Sequence, residues 1–152
     1  MPSVVLSRGM HDDIIIEASR LTDAALLARV EQLASCARET AVELIGHLAE
    51  VERRRLYRSA GTGSLYGYCR QVLRMSEHAA YHRMRVARAV LEHPAILDHL
   101  ADGSVNLTTV RLLAPHLTVE NRRSLLAEAT GKSRREVQRM AARLAPRPDV
   151  PS

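Results

Sequence analysis

The sequence predicts an all-α protein, a multi-helix domain with one long N-terminal helix, a helix-turn-helix-like pair and a C-terminal helical bundle. Three observations support this prediction. Apolar residues recur every three or four positions over most of the chain. Capping residues and glycines separate these segments, as expected at the starts and ends of helices. Alternating strand patterns are almost absent, so little or no β-structure is expected.

The composition is that of one compact soluble domain. The chain has 152 residues, of which 46% are hydrophobic and 26% are charged, enough to bury a core. It has neither an apolar run of the roughly 18 residues that a membrane span requires nor a secretory signal pattern. Cys36 and Cys69 both lie in apolar helical patterns, which favours two buried free thiols. We therefore expect a cytoplasmic protein with no membrane partner and no cofactor.

The two ends of the chain differ from its middle. Residues 1–20 have no clear period, and a mobile arm and a short extra helix both stay open for them. Residues 146–152 are a proline-rich tail or linker. A single helical domain is predicted between them, over residues 21–145.

One long amphipathic helix is predicted from Thr22, its N-cap, to about Arg58, before Gly61 and Gly63 break it. Its apolar stripe consists of Leu26, Val30, Leu33, Ala37, Ala41, Leu44, Leu48 and Val51. At roughly 50 Å, the helix is longer than a domain of this size usually covers. Two interpretations stay open: a central helix on which the others pack, or a homodimer that pairs residues 22–58 of two chains as a coiled coil.

A helix-turn-helix-like pair is predicted at residues 64–91. Ser64 caps the first helix, and Ser76 caps the second after a corner that begins at Arg74, where glycine is commonest in such motifs. The inward positions of the first helix are Leu65, Tyr68, Cys69, Val72 and Leu73. The apolar side of the second helix consists of Ala79, Ala80, Met84, Val86, Ala87, Val90 and Leu91.

The opposite side of the second helix is basic, and it predicts contact with double-stranded DNA. Residues 53–88 contain nine arginines and one acid, a local excess of eight positive charges in a chain whose net charge is +5, and such a patch attracts polyanions. Arg85, His82 and His78 are expected near the bases, since such side chains can bond to base edges. The residues expected nearer the DNA backbone are Arg70, Arg74, Tyr81 and Arg88. Arg83 projects toward the apolar side and would need a carboxylate partner.

Several shorter helices are predicted after the pair. One follows Pro94 from Ala95 to Asp102, and the next lies in VNLTTVRLLAPHL, where Pro115 shortens or kinks it. Thr118 starts another, and a capping box of Ser133 and Glu136 opens the last, which continues through Leu144. The inward positions of the last helix are Val137, Met140 and Leu144.

The segments SLYGYC, SEHAAYHR, LADGS with LTTVRLLAPHLT, and RPDVPS resemble the helical N-terminal region of a family of bacterial HNH endonuclease proteins, over nearly everything after residue 20. More remotely, RMSEHAAYHRMRVARAV followed by LADGSVNLTTVRLLA is similar to the helix-turn-helix region of ParB-like partition proteins. Both resemblances imply DNA binding. In the HNH family the nuclease chemistry belongs to a C-terminal module, of which the sequence contains neither the clustered His-Asn-His nor a CxxC pair.

We therefore expect a non-catalytic DNA-binding domain, with no catalytic residue and no metal ligand. His78 and His82 have helical metal-ligand spacing but lack the HExxH pattern. His47, His93, His99 and His116 are interpreted as surface or capping residues. The alternative is a protein-interaction domain of a truncated or split HNH nuclease, whose basic face meets an acidic protein and whose catalysis a separate module supplies.

Overall fold

The computed structural model describes residues 9–146 of the chain. Within that range it contains helices and no strand, so the all-α prediction is confirmed. The α-helices in chain order are α1 (Met10–Ser19), α2 (Asp23–Arg54), α3 (Leu65–Gln71), α4 (Glu77–Glu92), α5 (Ile96–Ala101), α6 (Leu107–Leu113), α7 (Arg122–Ala129) and α8 (Arg134–Leu144). Among these helices, none combines the length and the hydropathy that crossing a membrane requires.

The chain divides into two compact units, Met1–Ala37 and Arg38–Ser152, and the boundary falls inside α2. In the first unit, α1 occupies much of residues 1–20, for which the sequence left a mobile arm and a short helix as alternatives. Residues 1–8 lie outside the described range. The described part of this unit exposes the large apolar residues Ile14, Ile15, Ile16, Leu21, Leu27, Val30 and Leu33. Cys36 is exposed as well, so the prediction that both thiols are buried is wrong for this one.

Helix α2 begins as predicted and ends earlier. The Thr22 hydroxyl accepts a hydrogen bond from the backbone N–H of Ala25 at 3.3 Å, which confirms Thr22 as the cap. The predicted end near Arg58 is wrong, because Arg55 takes the left-handed conformation, with a φ of 54°, and stops the helix at Arg54. A separate 3₁₀ turn then covers Leu56–Arg58.

The core of the second unit lies around α4 and α6. Helix α4 packs against α3, α5 and α6, and α6 also packs against α8. The largest fully buried side chains come from most of the helices of this unit and are Ile45, Leu65, Ile96, Leu113, Leu126, Val86, Val110 and Val137. Burying each such aliphatic side chain stabilises the fold by about 1.5–3 kcal/mol. The two central helices are therefore fixed by packing on several sides.

Local hydrogen bonds set the ends of the C-terminal helices. The capping box of Ser133 and Glu136 is present at α8, as predicted, and Pro115 lies in a 3₁₀ turn that ends the α6 segment. Helix α7 begins at Arg122 and not at Thr118. Thr118 and Asn121 instead form a turn in which the side chain of each accepts a hydrogen bond from the backbone N–H of the other, at 3.1 and 2.7 Å.

Four predicted inward positions are exposed: Val72, Leu73, Leu91 and Leu144. Helix α3 ends at Gln71, so Val72 and Leu73 lie in the corner and no longer follow the apolar face of the helix. Leu91 and Leu144 lie in the last turns of α4 and α8. The helical period alone therefore overestimated burial at helix ends.

Candidate nucleic-acid interface

Helices α3 and α4 form the predicted pair, joined by Val72–Ser76. The Ser64 hydroxyl accepts a hydrogen bond from the Gly67 N–H at 3.0 Å, and the Ser76 hydroxyl accepts one from the Ala79 N–H at 3.1 Å. Both predicted caps are confirmed, and each satisfies an N–H group that the first turn of a helix leaves unpaired.

Arg74 occupies the left-handed conformation in the corner, with a φ of 56°. Glycine adopts this conformation without steric cost and arginine does not, which explains why glycine is common at such corners. The Met75 N–H donates to the Cys69 carbonyl at 3.0 Å, and Arg70 Nη1 donates to the Met75 carbonyl at 2.8 Å. Arg70 therefore braces the corner, and its Nη2 lies 3.9 Å from Glu77 Oε1.

A shallow polar groove of about 540 Å³ lies beside this corner. It is lined by Tyr66, Gly67, Arg70, Gln71, Arg74 and Met75. The side chain of Arg70 is 39% exposed, and Arg74 is exposed. Both arginines are therefore open to solvent, although Arg70 also donates to the Met75 carbonyl of the corner.

The N-terminal face of α4 consists of His78, Tyr81, His82 and Arg85. His78 and Tyr81 are exposed, whereas His82 and Arg85 are half-buried. The ring centroids of His78 and His82 are 3.9 Å apart, and Arg85 Cζ lies 5.7 Å from the centroid of the Tyr81 ring, within the range of a cation–π contact. The structure thus brings four of the seven predicted DNA-binding residues together on one surface.

Arg88 lies one turn further along and is in a different setting. Its Nε is 2.9 Å from Glu52 Oε1 on α2, and the Arg88 and Glu52 side chains are 51% and 17% exposed. The second oxygen of Glu52 is buried with no hydrogen-bond partner in the described part of the chain. The prediction that Arg88 is turned outward is met in part, since the residue is exposed but its guanidinium is engaged by a carboxylate.

Three arginines of α4, α6 and α8 lie near His82. Burial lowers the pKa of His82, and the charges of His78, Arg111, Arg83 and Arg134 lower it further. Arg83 forms no ion pair among residues 9–146, so the carboxylate partner that the sequence called for is not found there. Arg111 and Arg134 were not predicted at all, because both are distant in sequence from α4.

The remaining histidines do not form a second site. His93 is buried, with 4% exposure, so it is not a surface residue. It is the C-cap of α4, where its backbone N–H donates to the Ala89 carbonyl at 2.8 Å, which confirms the capping interpretation. It lies between α4 and α5, and Arg122 Nη1 is 3.5 Å from its Nδ1. Within residues 9–146, no three His, Cys, Asp or Glu side chains are grouped so that they could hold a metal ion. Burial raises the pKa of the Cys69 thiol, which favours its protonated, unreactive form.

Comparison of the chain with protein-family models, curated proteins and solved structures found no match. The HNH and ParB-like resemblances therefore stay predictions that rest on the sequence motifs alone.

Proposed function

We propose that the second unit binds double-stranded DNA and that α4 is the helix that enters the major groove. The observation on which this rests is the N-terminal face of α4, which follows directly from a capped corner and is exposed or half-exposed. No acidic residue occurs between His78 and Arg88. In helix-turn-helix proteins, the N-terminal residues of the second helix contact the base edges.

The side chains of this surface suit different parts of a duplex. Arg85 has a planar fork that can bond two acceptors of one guanine, and the histidines and Tyr81 can donate to base edges or phosphates. In this proposal, Arg70 and Arg74 at the corner lie beside the phosphate backbone of the DNA. Arg88 then acts mainly through Glu52, by holding α4 against α2.

A salt titration of duplex binding tests the proposal. Fluorescence anisotropy with a labelled duplex should show affinity that falls steeply with salt, because phosphate neutralisation releases counterions. Arg85→Ala should weaken binding by about 1–3 kcal/mol, whereas Arg123→Ala, which removes an exposed arginine of α7, should change it little. Equal binding by parent and Arg85→Ala would contradict the assigned surface. Binding to polyglutamate but not to duplex would favour the alternative, an interaction with an acidic protein.

A homodimer through residues 22–58 belongs to the same proposal. Its support is the exposed apolar set of the first unit, which includes Leu27, Val30 and Leu33 on α2, since exposed apolar patches mark interaction surfaces. Sedimentation equilibrium should give a dimer that Leu27→Glu with Leu33→Glu dissociates. A parent that stays monomeric at high concentration would overturn this part of the proposal and leave the DNA surface untouched.

The proposal assigns no catalytic step to this chain, in keeping with the resemblance to the non-catalytic region of HNH endonuclease proteins. A DNA partner also fits the predicted cytoplasmic location. Incubating plasmid with the pure protein and Mg²⁺ or Mn²⁺ should leave the supercoiled form intact. Metal-dependent nicking that copurifies with the protein would contradict the assignment. An HNH reading frame beside the gene would instead support a split nuclease.

A further inference from the structure

The cationic side chains near His82 come from three helices that pack in series. Helix α4 contributes His82 and Arg83, α6 contributes Arg111, and α8 contributes Arg134 in its first turn. Packing of α4 against α6 and of α6 against α8 holds these elements in place. The cluster is therefore built by the tertiary fold, unlike the arginines of the corner, which are neighbours in sequence.

No carboxylate of the described chain neutralises this cluster. Arg83, Arg111 and Arg134 form no ion pair among residues 9–146. Glu136, two residues beyond Arg134, is occupied, because its carboxylate accepts a hydrogen bond from the Ser133 N–H at 2.7 Å. The described part of the fold thus leaves three guanidinium groups without counter-charges.

Arg111 gives a second and independent indication. Its Nε is buried and has no hydrogen-bond acceptor in the described part of the chain, although the residue as a whole is only half-buried. The half-buried arginines outside this cluster have other contacts: Arg122 donates to the Glu92 carbonyl at 3.3 Å, and Arg85 lies over the Tyr81 ring. Buried polar atoms almost always have a partner, and an anion bound among these cations would supply the acceptor that Arg111 lacks.

We infer that Arg83, Arg111 and Arg134, with His82, form a binding site for a phosphate group. Guanidinium groups bind phosphate through pairs of charge-assisted hydrogen bonds, and a bound anion would reduce the mutual repulsion of the cluster. If the proposed function holds, this phosphate belongs to the DNA backbone, and the footprint of the protein extends from α4 onto α6 and α8. The site is independent of sequence, since it contacts no base.

Inorganic pyrophosphate tests the site without DNA. His82 is the reporter, observed by NMR of the histidine rings and assigned with His82→Gln. Burial and the surrounding cations lower the pKa of His82, so a bound anion should shift that pKa upward, beyond the change that sodium chloride produces at equal ionic strength. Arg134→Gln and Arg111→Gln should diminish the shift. Arg135→Gln is the matched control, because Arg135 is an exposed neighbour on α8 that is not among the charges acting on His82.

The phosphate site would be overturned if pyrophosphate shifted the pKa of His82 no more than chloride does. It would also be overturned if the shift in Arg134→Gln equalled that in the parent. Thermal melts of the variants separate loss of the site from loss of the fold. Arg134 is exposed, so its variant should melt with the parent even if Arg111→Gln is destabilised.

Duplex binding supplies the second arm of the experiment. Loss of one phosphate contact lowers the slope of log affinity against log salt by about 0.9, so a fourfold rise in salt should cost Arg134→Gln about threefold to fourfold less affinity than it costs the parent. Arg135→Gln should keep the parent slope. A pyrophosphate response without duplex binding would keep the anion site and refute the DNA function. Duplex binding without a pyrophosphate response and with the parent salt slope in Arg134→Gln would keep the DNA function and refute the phosphate site.

Discussion

Helix α4 can be divided after Arg85 into a first half, residues 77–85, and a second half, residues 86–92, and the arginines Arg85 and Arg88 of the two halves have different uses. In the first half, Arg85 lies over Tyr81 and has no carboxylate partner among the described residues. In the second half, Arg88 is bound to Glu52 of α2, and the neighbouring residues Val86, Ala87, Ala89 and Val90 are buried. The first half of α4 is thus mainly an exposed or half-exposed surface, where only Ala80 and Met84 are buried, and the second half is mainly a packing element. A periodic row of cations therefore identifies a helix face but not which of its members are free to bind.

The largest effect should come from placing a charge where the helix is a packing element. Val86 is fully buried, so Val86→Asp should lower the free energy of unfolding by about 3–5 kcal/mol, because its carboxylate would be buried without a partner. The adjacent change, Arg85→Gln, should alter it by no more than about 0.5 kcal/mol. Urea unfolding followed by circular dichroism at 222 nm measures both.

Val86→Asp is expected to leave little folded protein, so Val86→Ala is the milder companion, with a loss of about 2 kcal/mol from the deleted methyl groups. If Arg85→Gln destabilised the fold as much as Val86→Ala does, Arg85 would be a structural residue. The contrast between the two halves would then be lost.

Removing the cap of the exposed half should have the next largest effect. Ser76 accepts a hydrogen bond from the Ala79 N–H, so Ser76→Ala should lower the free energy of unfolding by about 1 kcal/mol. Hydrogen exchange should become faster at the first amides of α4 and stay slow at the buried residues of its second half. Ser76→Asp, which restores an acceptor, should recover the stability. Unchanged exchange at Ala79 would show that the cap does not hold the exposed half in place.

The corner and its caps could be predicted from the sequence because their causes are local. Ser64, Ser76 and the Ser133–Glu136 box each bond to an N–H three residues away, so spacing alone identifies them. The division of α4 into an apolar and a basic side follows equally from its helical period. Four members of the candidate site, His78, Tyr81, His82 and Arg85, were found in this way.

The rest of the site depends on contacts between residues that are distant in sequence. Glu52 and Arg88 are 36 positions apart, and no local pattern relates them. Arg111 and Arg134 join the cations around His82 only because α4, α6 and α8 pack in series. Burial of His93 likewise depends on the packing around the α4–α5 junction. The sequence supplies the charges, whereas tertiary packing decides which of them are neutralised.

A smaller effect should distinguish Arg88 from Arg85, because only Arg88 is expected to be energetically coupled to Glu52. In a double-mutant cycle of Arg88→Met and Glu52→Gln, we expect a coupling energy of about 0.5–1 kcal/mol, because the pair is half exposed and solvent screens it. Arg88→Met should also reduce duplex affinity less than Arg85→Met does. Negligible coupling together with a large loss of duplex affinity would show that Arg88 is a DNA contact and not a support of α4.

The smallest effect has the opposite sign and concerns the corner that precedes the exposed half. Arg74 has a φ of 56°, so Arg74→Gly should raise the free energy of unfolding by about 0.5 kcal/mol, the relief of side-chain strain exceeding the added entropy of the unfolded chain. The same change removes a cation from the groove, so duplex affinity should fall although the fold becomes more stable. Arg74→Asn, which tolerates this backbone conformation, controls for the loss of charge without the added flexibility of glycine. If both variants became more stable and kept their duplex affinity, DNA contact would be confined to α4 itself. If both lost duplex affinity to the same extent, Arg74 would be assigned to DNA binding.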